Sequence, residues 1–206
     1  MFARSLLITI GTMARTKKTL TDLAGTTDIK MATRGLVIVY TGEGKGKTTA
    51  ALGLALRATG YHKKVLVMQF GKVWFTGEKK AVEKLAPFLT LVQGGISFVG
   101  IIDDETPFSE HKKAFQEMYE YIYKEVMSDK WDVVVCDEIV GAVAGKLLTH
   151  SQLAKLIKDK PERLDLVLTG HHASEKLIAL ADLVTEMREI KHPFQKGILA
   201  KPSIDY

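Results

Sequence analysis

The chain has 206 residues, 46% of them hydrophobic, which is room for one substantial core and too little for two. A single cysteine, Cys136, excludes an internal disulfide and points to a reducing compartment, so a cytoplasmic protein is expected. The net charge is +5, yet residues 1–34 hold six basic side chains against two acidic ones and leave the rest nearly neutral; such an arm hints weakly at nucleic acid or an acidic partner and reads more readily as a solvated tail.

No apolar stretch approaches the roughly 20 residues of a membrane-spanning helix. Leu6 to Ile10 behind Arg4 has the outline of a signal peptide but is too short in its apolar part. Met13 and Met31 are alternative starts, and residues 1–30 are expected to be partly disordered or to precede the true start. Two parts are expected: a basic arm over residues 1–34 and one nucleotide-binding catalytic domain over 35–206.

The first element is Leu36–Tyr40, a β-branched run that reads as a buried strand. Directly after it comes Thr41-Gly42-Glu43-Gly44-Lys45-Gly46-Lys47-Thr48-Thr49, a phosphate-binding loop. Gly42, Gly44 and Gly46 let successive N–H groups turn inward toward phosphate oxygens. A helix over Thr48–Thr59 then brings N-terminal N–H groups and a dipole that favour an anion. Lys47 supplies a point charge for the outer phosphates, and the Thr48 hydroxyl suits Mg²⁺. The standard pattern would place a glycine where this chain has Thr41. Gly42 comes one position late, and an additional Lys45 lies inside the loop.

Further along, Val65–Phe70 and Phe88–Val92 read as strands. A long connection lacking helical period follows, from Gly94-Gly95 to Pro107, and such connections are often functional. Glu110–Met127 has helical spacing. Trp131–Cys136 is a buried strand that runs into Asp137 and Glu138. Parallel strands present ligands at their carboxyl ends, so these carboxylates can hold Mg²⁺ directly or through water. Adjacent strand residues diverge, so one can take the metal while the other orients substrate; spacing does not decide which. Ser151–Lys158 reads as a helix and Leu164–Thr169 as a strand. His171 and His172 follow it, and they read as surface residues, with contact to phosphate or substrate as the alternative. Ser174–Leu180 reads as a helix, Leu183–Met187 as a strand, and Glu189–Tyr206 as irregular. Strands alternating with helices predict an α/β protein with a mostly parallel sheet covered on both faces.

These pieces together resemble the P-loop type of ATP:corrinoid adenosyltransferase. The resemblance rests on Thr41 through Ala51 with its late first glycine, on Arg57-Ala58 with Gly60, on Val67-Met68-Gln69-Phe70, and on Lys72 followed by Gly77-Glu78. Asp137-Glu138, Leu168-Thr169-Gly170, Ala181 to Met187, Ile190-Lys191-His192-Pro193-Phe194, Gly197 and Ile204-Asp205-Tyr206 complete it. It runs from about Gly35 to Tyr206. The loop variant and the Lys191-His192 segment are its specific parts.

The resemblance implies a RecA-like P-loop NTPase fold, with ATP, Mg²⁺ and a reduced corrinoid as ligands. It implies transfer of the 5′-deoxyadenosyl group of ATP to cobalt, with release of triphosphate. Thr41, Gly42, Glu43, Gly44, Gly46, Lys47, Thr48 and Thr49 would hold the nucleotide. Lys45, Lys47 and Glu138 would act in catalysis, and Thr48 with Glu138 or Asp137 would hold Mg²⁺. Lys191 and His192 are site residues by the same resemblance. Phe98 and Trp74 are the candidates for an apolar wall that excludes water and an axial ligand from cobalt, which eases reduction to Co(I). A homodimer and a flavoprotein electron donor are the implied partners, with no membrane and no nucleic acid. Departures gather on the corrinoid side. Gly95-Ile96-Ser97-Phe98 stands where the family has a Gly-Phe-Thr-Trp type stretch. The segment from Gly71 to Glu78 is one residue shorter, His171 replaces an arginine, and Pro202-Ser203 stands where glycine is common. Two other functions fit the nucleotide half alone: a kinase or ATPase acting at the γ-phosphate on another acceptor, and a non-catalytic ATP-dependent binding protein.

Overall fold

The computed structural model describes residues 34–96 and 104–206. The expectations for residues 1–33 and for Phe98 lie outside the described residues.

Among the described residues six strands form one sheet: β1 (Val37–Thr41), β2 (Val65–Phe70), β3 (Leu89–Gly94), β4 (Val133–Asp137), β5 (Asp165–Thr169) and β6 (Leu183–Glu186). All pairings are parallel, in the order β3-β2-β4-β5-β1-β6. β5 lies between the strand that feeds the phosphate loop and the strand that ends in carboxylates, as in RecA-like sheets. The helices are α1 (Lys47–Thr59), α2 (Gly77–Ala81), α3 (Phe108–Met127), α4 (Ile139–Ala144), α5 (His150–Asp159) and α6 (Glu175–Ile178).

Side chains alternate between the two faces of a strand, and both faces are apolar here. Val39, Met68, Phe70, Cys136 and Leu168 point to one side. There they meet Phe115, Met118 and Ile122 of α3, Ile139 and Val143 of α4, and Leu156 of α5. Ile38, Val65, Val67, Val135 and Val167 point to the other side and meet Ala51 and Ala55 of α1. The small alanines, four residues apart on one helix face, let α1 lie close to the sheet. Its first turn therefore stands beside the carboxyl ends of β1 and β4.

The expected strands and helices form, with shifts that have local causes. β3 runs on to Gly94 because Gln93 and Gly94 pair with Gln69 and Phe70 of β2. β4 starts at Val133 because Asp132 turns back to accept the Lys64 N–H at 2.9 Å. The last expected helix is shorter, Glu175–Ile178, with the Ser174 hydroxyl accepting the Leu177 N–H at its start. α4 was not expected. Its run Ile139-Val140-Gly141-Ala142-Val143-Ala144 is apolar all round and carries no helical periodicity, because it is buried on most sides.

Candidate active site

Two glycines give the loop its shape. Gly42 has φ of 100°, a backbone angle that disfavours a side chain, and a Cβ there would lie 2.4 Å from the Met187 carbonyl oxygen. Gly44 packs as closely: its N–H donates to the Met187 carbonyl at 2.7 Å, and a Cβ would meet Arg188 backbone at 2.7 Å. The loop is thus pressed against the chain leaving β6. Gly46 caps α1 without any side-chain hydrogen bond, and no acidic residue occupies the first turn. The N–H groups at that helix start have no intrahelical partner and favour an anion.

Lys47 is buried at 5% exposure. Its ammonium donates to the carbonyls of Gly42 at 2.8 Å and Gly44 at 3.0 Å. Thr48 faces the end of β4, where its hydroxyl donates to Asp137 Oδ1 at 2.9 Å.

Asp137 is the hub of a buried polar cluster. Its Oδ1 accepts from Thr48 and also from the Thr169 hydroxyl at 2.7 Å. Its Oδ2 accepts from Gln69 Nε2 at 3.2 Å and from Lys72 Nζ at 3.3 Å. Gln69 Nε2 also donates to Glu78 Oε1 at 2.9 Å, so the Gln69 carbonyl oxygen is left to accept from Gln93 Nε2 at 2.9 Å. Glu78 loses some acidity to burial, but hydrogen bonds from Gln69 and its own backbone, with the charge of Lys72, hold its carboxyl below the ordinary range.

Glu138 is set differently. It adopts a left-handed conformation, φ 67°, at the start of α4, and its N–H donates to the Thr169 hydroxyl at 2.9 Å. Among the described residues, no side chain hydrogen-bonds its carboxylate, which lines a cavity of about 520 Å³. Burial and the neighbouring Asp137 charge push its carboxyl up to about 7. The start of α1, Lys72, Glu78 and the turn Ser203–Tyr206 line the same cavity. Lys45 forms an ion pair with Asp205 across it, and Asp205 also accepts the Lys201 N–H at 2.8 Å.

Several expected residues therefore converge: Lys45, Gly46, Lys47, Thr48, Thr49 and Glu138 share one cavity, with Asp137 directly behind it. Others do not reach it. The Thr41 hydroxyl accepts the Ala173 N–H at 3.1 Å and its carbonyl the Met187 N–H at 2.8 Å, so Thr41 fastens the loop. Glu43 turns outward to His171 and His172, each 3.3 Å away. Burial and the Lys47 charge lower the basicity of His171. His192 accepts the Phe194 N–H at 3.3 Å, capping a 3₁₀ turn over Pro193–Lys196. Trp74 and Lys191 are exposed to solvent outside the cavity wall. The sequence marks Gln69, Glu78, Thr169 and Asp205 only as parts of matching segments. The strand ends at Gln69 and Thr169 and the glycine before Glu78 are the available signal, but which side chains meet there depends on the pairing of β2, β4 and β5; Asp205 carries no such signal.

Among the described residues, no three His, Cys, Asp or Glu side chains form a metal cluster. The donor set that does exist is Glu138 with a free carboxylate and Thr48 with a hydroxyl beside it. That suits Mg²⁺, which commonly takes one or two protein oxygens and completes its shell with phosphate and water.

A glycine loop between a buried strand and a helix, with a buried lysine and strand-end carboxylates opposite, defines a P-loop nucleotide-binding protein of α/β fold. The family model of ATP:corrinoid adenosyltransferase BtuR/CobO/CobP matches residues 33–206, and the chain belongs to that family. Its relatives include a corrinoid adenosyltransferase of Escherichia coli (strain K12), 34% identical over 174 residues, covering 84% of this chain and 86% of the relative. The corrinoid adenosyltransferase CobA of Salmonella typhimurium is 34% identical over 175 residues, with the same coverage of 84% and 86%. A corrinoid adenosyltransferase of a Sinorhizobium species is 37% identical over 180 residues, covering 84% and 81%. Among solved structures, a KaiC-like protein of Pyrococcus horikoshii OT3 superimposes with a TM-score of 0.49 and 18% identity, over 77% of this chain and 75% of its own.

Proposed function

We propose that this protein transfers the 5′-deoxyadenosyl group of ATP to the cobalt of a reduced corrinoid, releasing triphosphate. The observation that carries the reading is the family match over 33–206 together with a cavity in which Lys47, Thr48 and Glu138 meet. Co(I) is itself a strong nucleophile, so the chain need not supply a serine, a cysteine or a base. The cobalt electron pair forms the bond to the ribose 5′ carbon, the C5′–O bond breaks, and its electrons leave with the triphosphate. What remains for the protein is orientation and stabilisation of leaving-group charge.

Each residue has a part in that reading. The first-turn N–H groups of α1 and the Lys47 ammonium receive phosphate oxygens, with Lys47 exchanging its bonds to Gly42 and Gly44 for bonds to phosphate. Lys45 meets the outer end of the triphosphate. Glu138 and Thr48 hold Mg²⁺, and Asp137, whose oxygens already accept four hydrogen bonds, orients the Thr48 hydroxyl. Bound there, Mg²⁺ would neutralise charge that gathers on the departing triphosphate. The catalytic unit is residues 35–206, supported by the extent of the family match, and residues 1–34 are a basic arm. Phe98 and Trp74 belong to the corrinoid side, and Lys191 and His192 to the binding site. A homodimer, a flavoprotein electron donor and a cytoplasmic location complete the proposal. A lone buried cysteine suits a reducing compartment, and among the described residues no helix is long and apolar enough to cross a membrane.

Product analysis with ATP and chemically reduced corrinoid tests the reaction. Triphosphate and a carbon–cobalt bond are expected in equal amounts. ADP accumulating without a carbon–cobalt bond would replace this reading with a γ-phosphate enzyme.

A further inference from the structure

The cavity is lined by three lysines, and the third, Lys72, has no part in the account above. Gly71 ends β2 in a left-handed turn, φ 74°, with its N–H bonded to the Gly94 carbonyl at 2.8 Å. That turn brings Lys72 back over the sheet edge, where its side chain is only 15% exposed. Its ammonium lies 3.3 Å from Asp137 Oδ2 and 3.8 Å from Glu78 Oε1. An ammonium has three donors, and these are two long contacts. Asp137 meanwhile has three shorter or equivalent bonds from Thr48, Thr169 and Gln69, so it does not depend on Lys72.

Charge balance explains why a lysine would wait there. Among the described residues, the ionisable side chains of the lining are Lys45, Lys47 and Lys72 against Glu78, Glu138 and Asp205, three basic against three acidic. A triphosphate brings several negative charges into that balanced site. The cations that can turn to it are those most loosely held, and a flexible lysine stem changes partner at little cost.

We propose that Lys72 is a triphosphate-binding residue, held by Asp137 in the free protein and transferred to the leaving group when nucleotide enters. This deepens the adenosyltransferase reading and rests on it. The residue would contribute charge-assisted bonds to the group that departs.

Calorimetric binding of Mg²⁺-tripolyphosphate, with no corrinoid present, tests it. Lys72→Met is expected to weaken binding by about 10- to 100-fold, and Lys72→Arg by only a few-fold. Lys72→Gln carries the same expectation as the methionine variant should that one not fold. Unchanged affinity in Lys72→Met or Lys72→Gln overturns the proposal, as does a lowered Tm with affinity intact, which would make Lys72 a counter-charge to Asp137 only. If Lys47→Ala loses binding while the Lys72 variants keep it, this inference falls and the nucleotide site stands. If the unaltered protein does not bind tripolyphosphate, both fall together.

Discussion

Around Asp137 each polar side chain is held by another, whereas the segments that flank the cavity lie open to solvent. Thr48, Thr169, Gln69 and Lys72 all converge on one carboxylate that is 1% exposed. By contrast Trp74, proposed to face the corrinoid, is 39% exposed and its neighbour Phe75 63%. A triphosphate has the same composition and charge in any nucleoside triphosphate, so its receptor can be finished in advance, on strand ends. A large acceptor must be admitted from outside, and in our reading the apolar side chains that meet it stand uncovered beforehand.

Substitutions can break that contrast. Lys47→Ala is expected to have the largest effect, a fall in kcat of about 10²–10³-fold with the fold intact. Steady-state turnover checks it, and unchanged turnover would remove Lys47 from the site. Gly42→Ala places a side chain at φ 100° and against the Met187 carbonyl. Denaturant unfolding should show a loss of about 1–3 kcal/mol or more, with tripolyphosphate affinity falling in parallel.

Glu138 sharpens the contrast through pH. Burial and Asp137 raise its carboxyl from an ordinary 4.5 to about 7, so the folded protein keeps a proton that the unfolded chain has already released. The stability from this group is therefore complete below pH 4.5 and is lost as pH rises through 7. Without divalent ions, Glu138→Gln should flatten that decline and be the more stable protein at pH 8. Parallel pH–stability curves would show that Glu138 is solvated instead.

Smaller effects are expected away from the cluster. Trp74→Ala should lower corrinoid turnover by about tenfold or less, leaving ATP affinity and Tm unchanged. Reduced ATP affinity would move Trp74 to the nucleotide side. Gly53 lies exposed inside α1 with nothing near a built Cβ, so Gly53→Ala should stabilise by about 0.5–1 kcal/mol and leave turnover alone.

The elements that announce themselves in the sequence are those whose local chemistry agrees with their place in the fold. Val65–Phe70 is apolar at every position but Gln69 and buried on both faces, and it forms over the expected span. Lys47 and Thr48 could be read because a P-loop is a contiguous device. The partners of Asp137 could not be. Gln69 and Lys72 come from the end of β2 and Thr169 from the end of β5, and only the order β2-β4-β5 brings them to one carboxylate. Spacing also could not separate Asp137 from Glu138. Their difference depends on Glu138 entering a left-handed turn, which frees its side chain from the strand. Glu43 sits inside the motif, yet the loop's turn sends its side chain outward to His171 and His172, a direction that spacing does not show.

The close seating of Gly42 and Gly44 on residues 187–188 means that the nucleotide grip is cast in a mould rather than sprung from nine residues alone. The mould is the chain leaving β6, an edge strand that, among the described residues, pairs with β1 only. Grafting residues 41–49 onto another strand–helix junction without that backing should give a glycine turn with no appetite for anions. Loosening β6 from its outer side should relax the grip without a single ligand atom being touched.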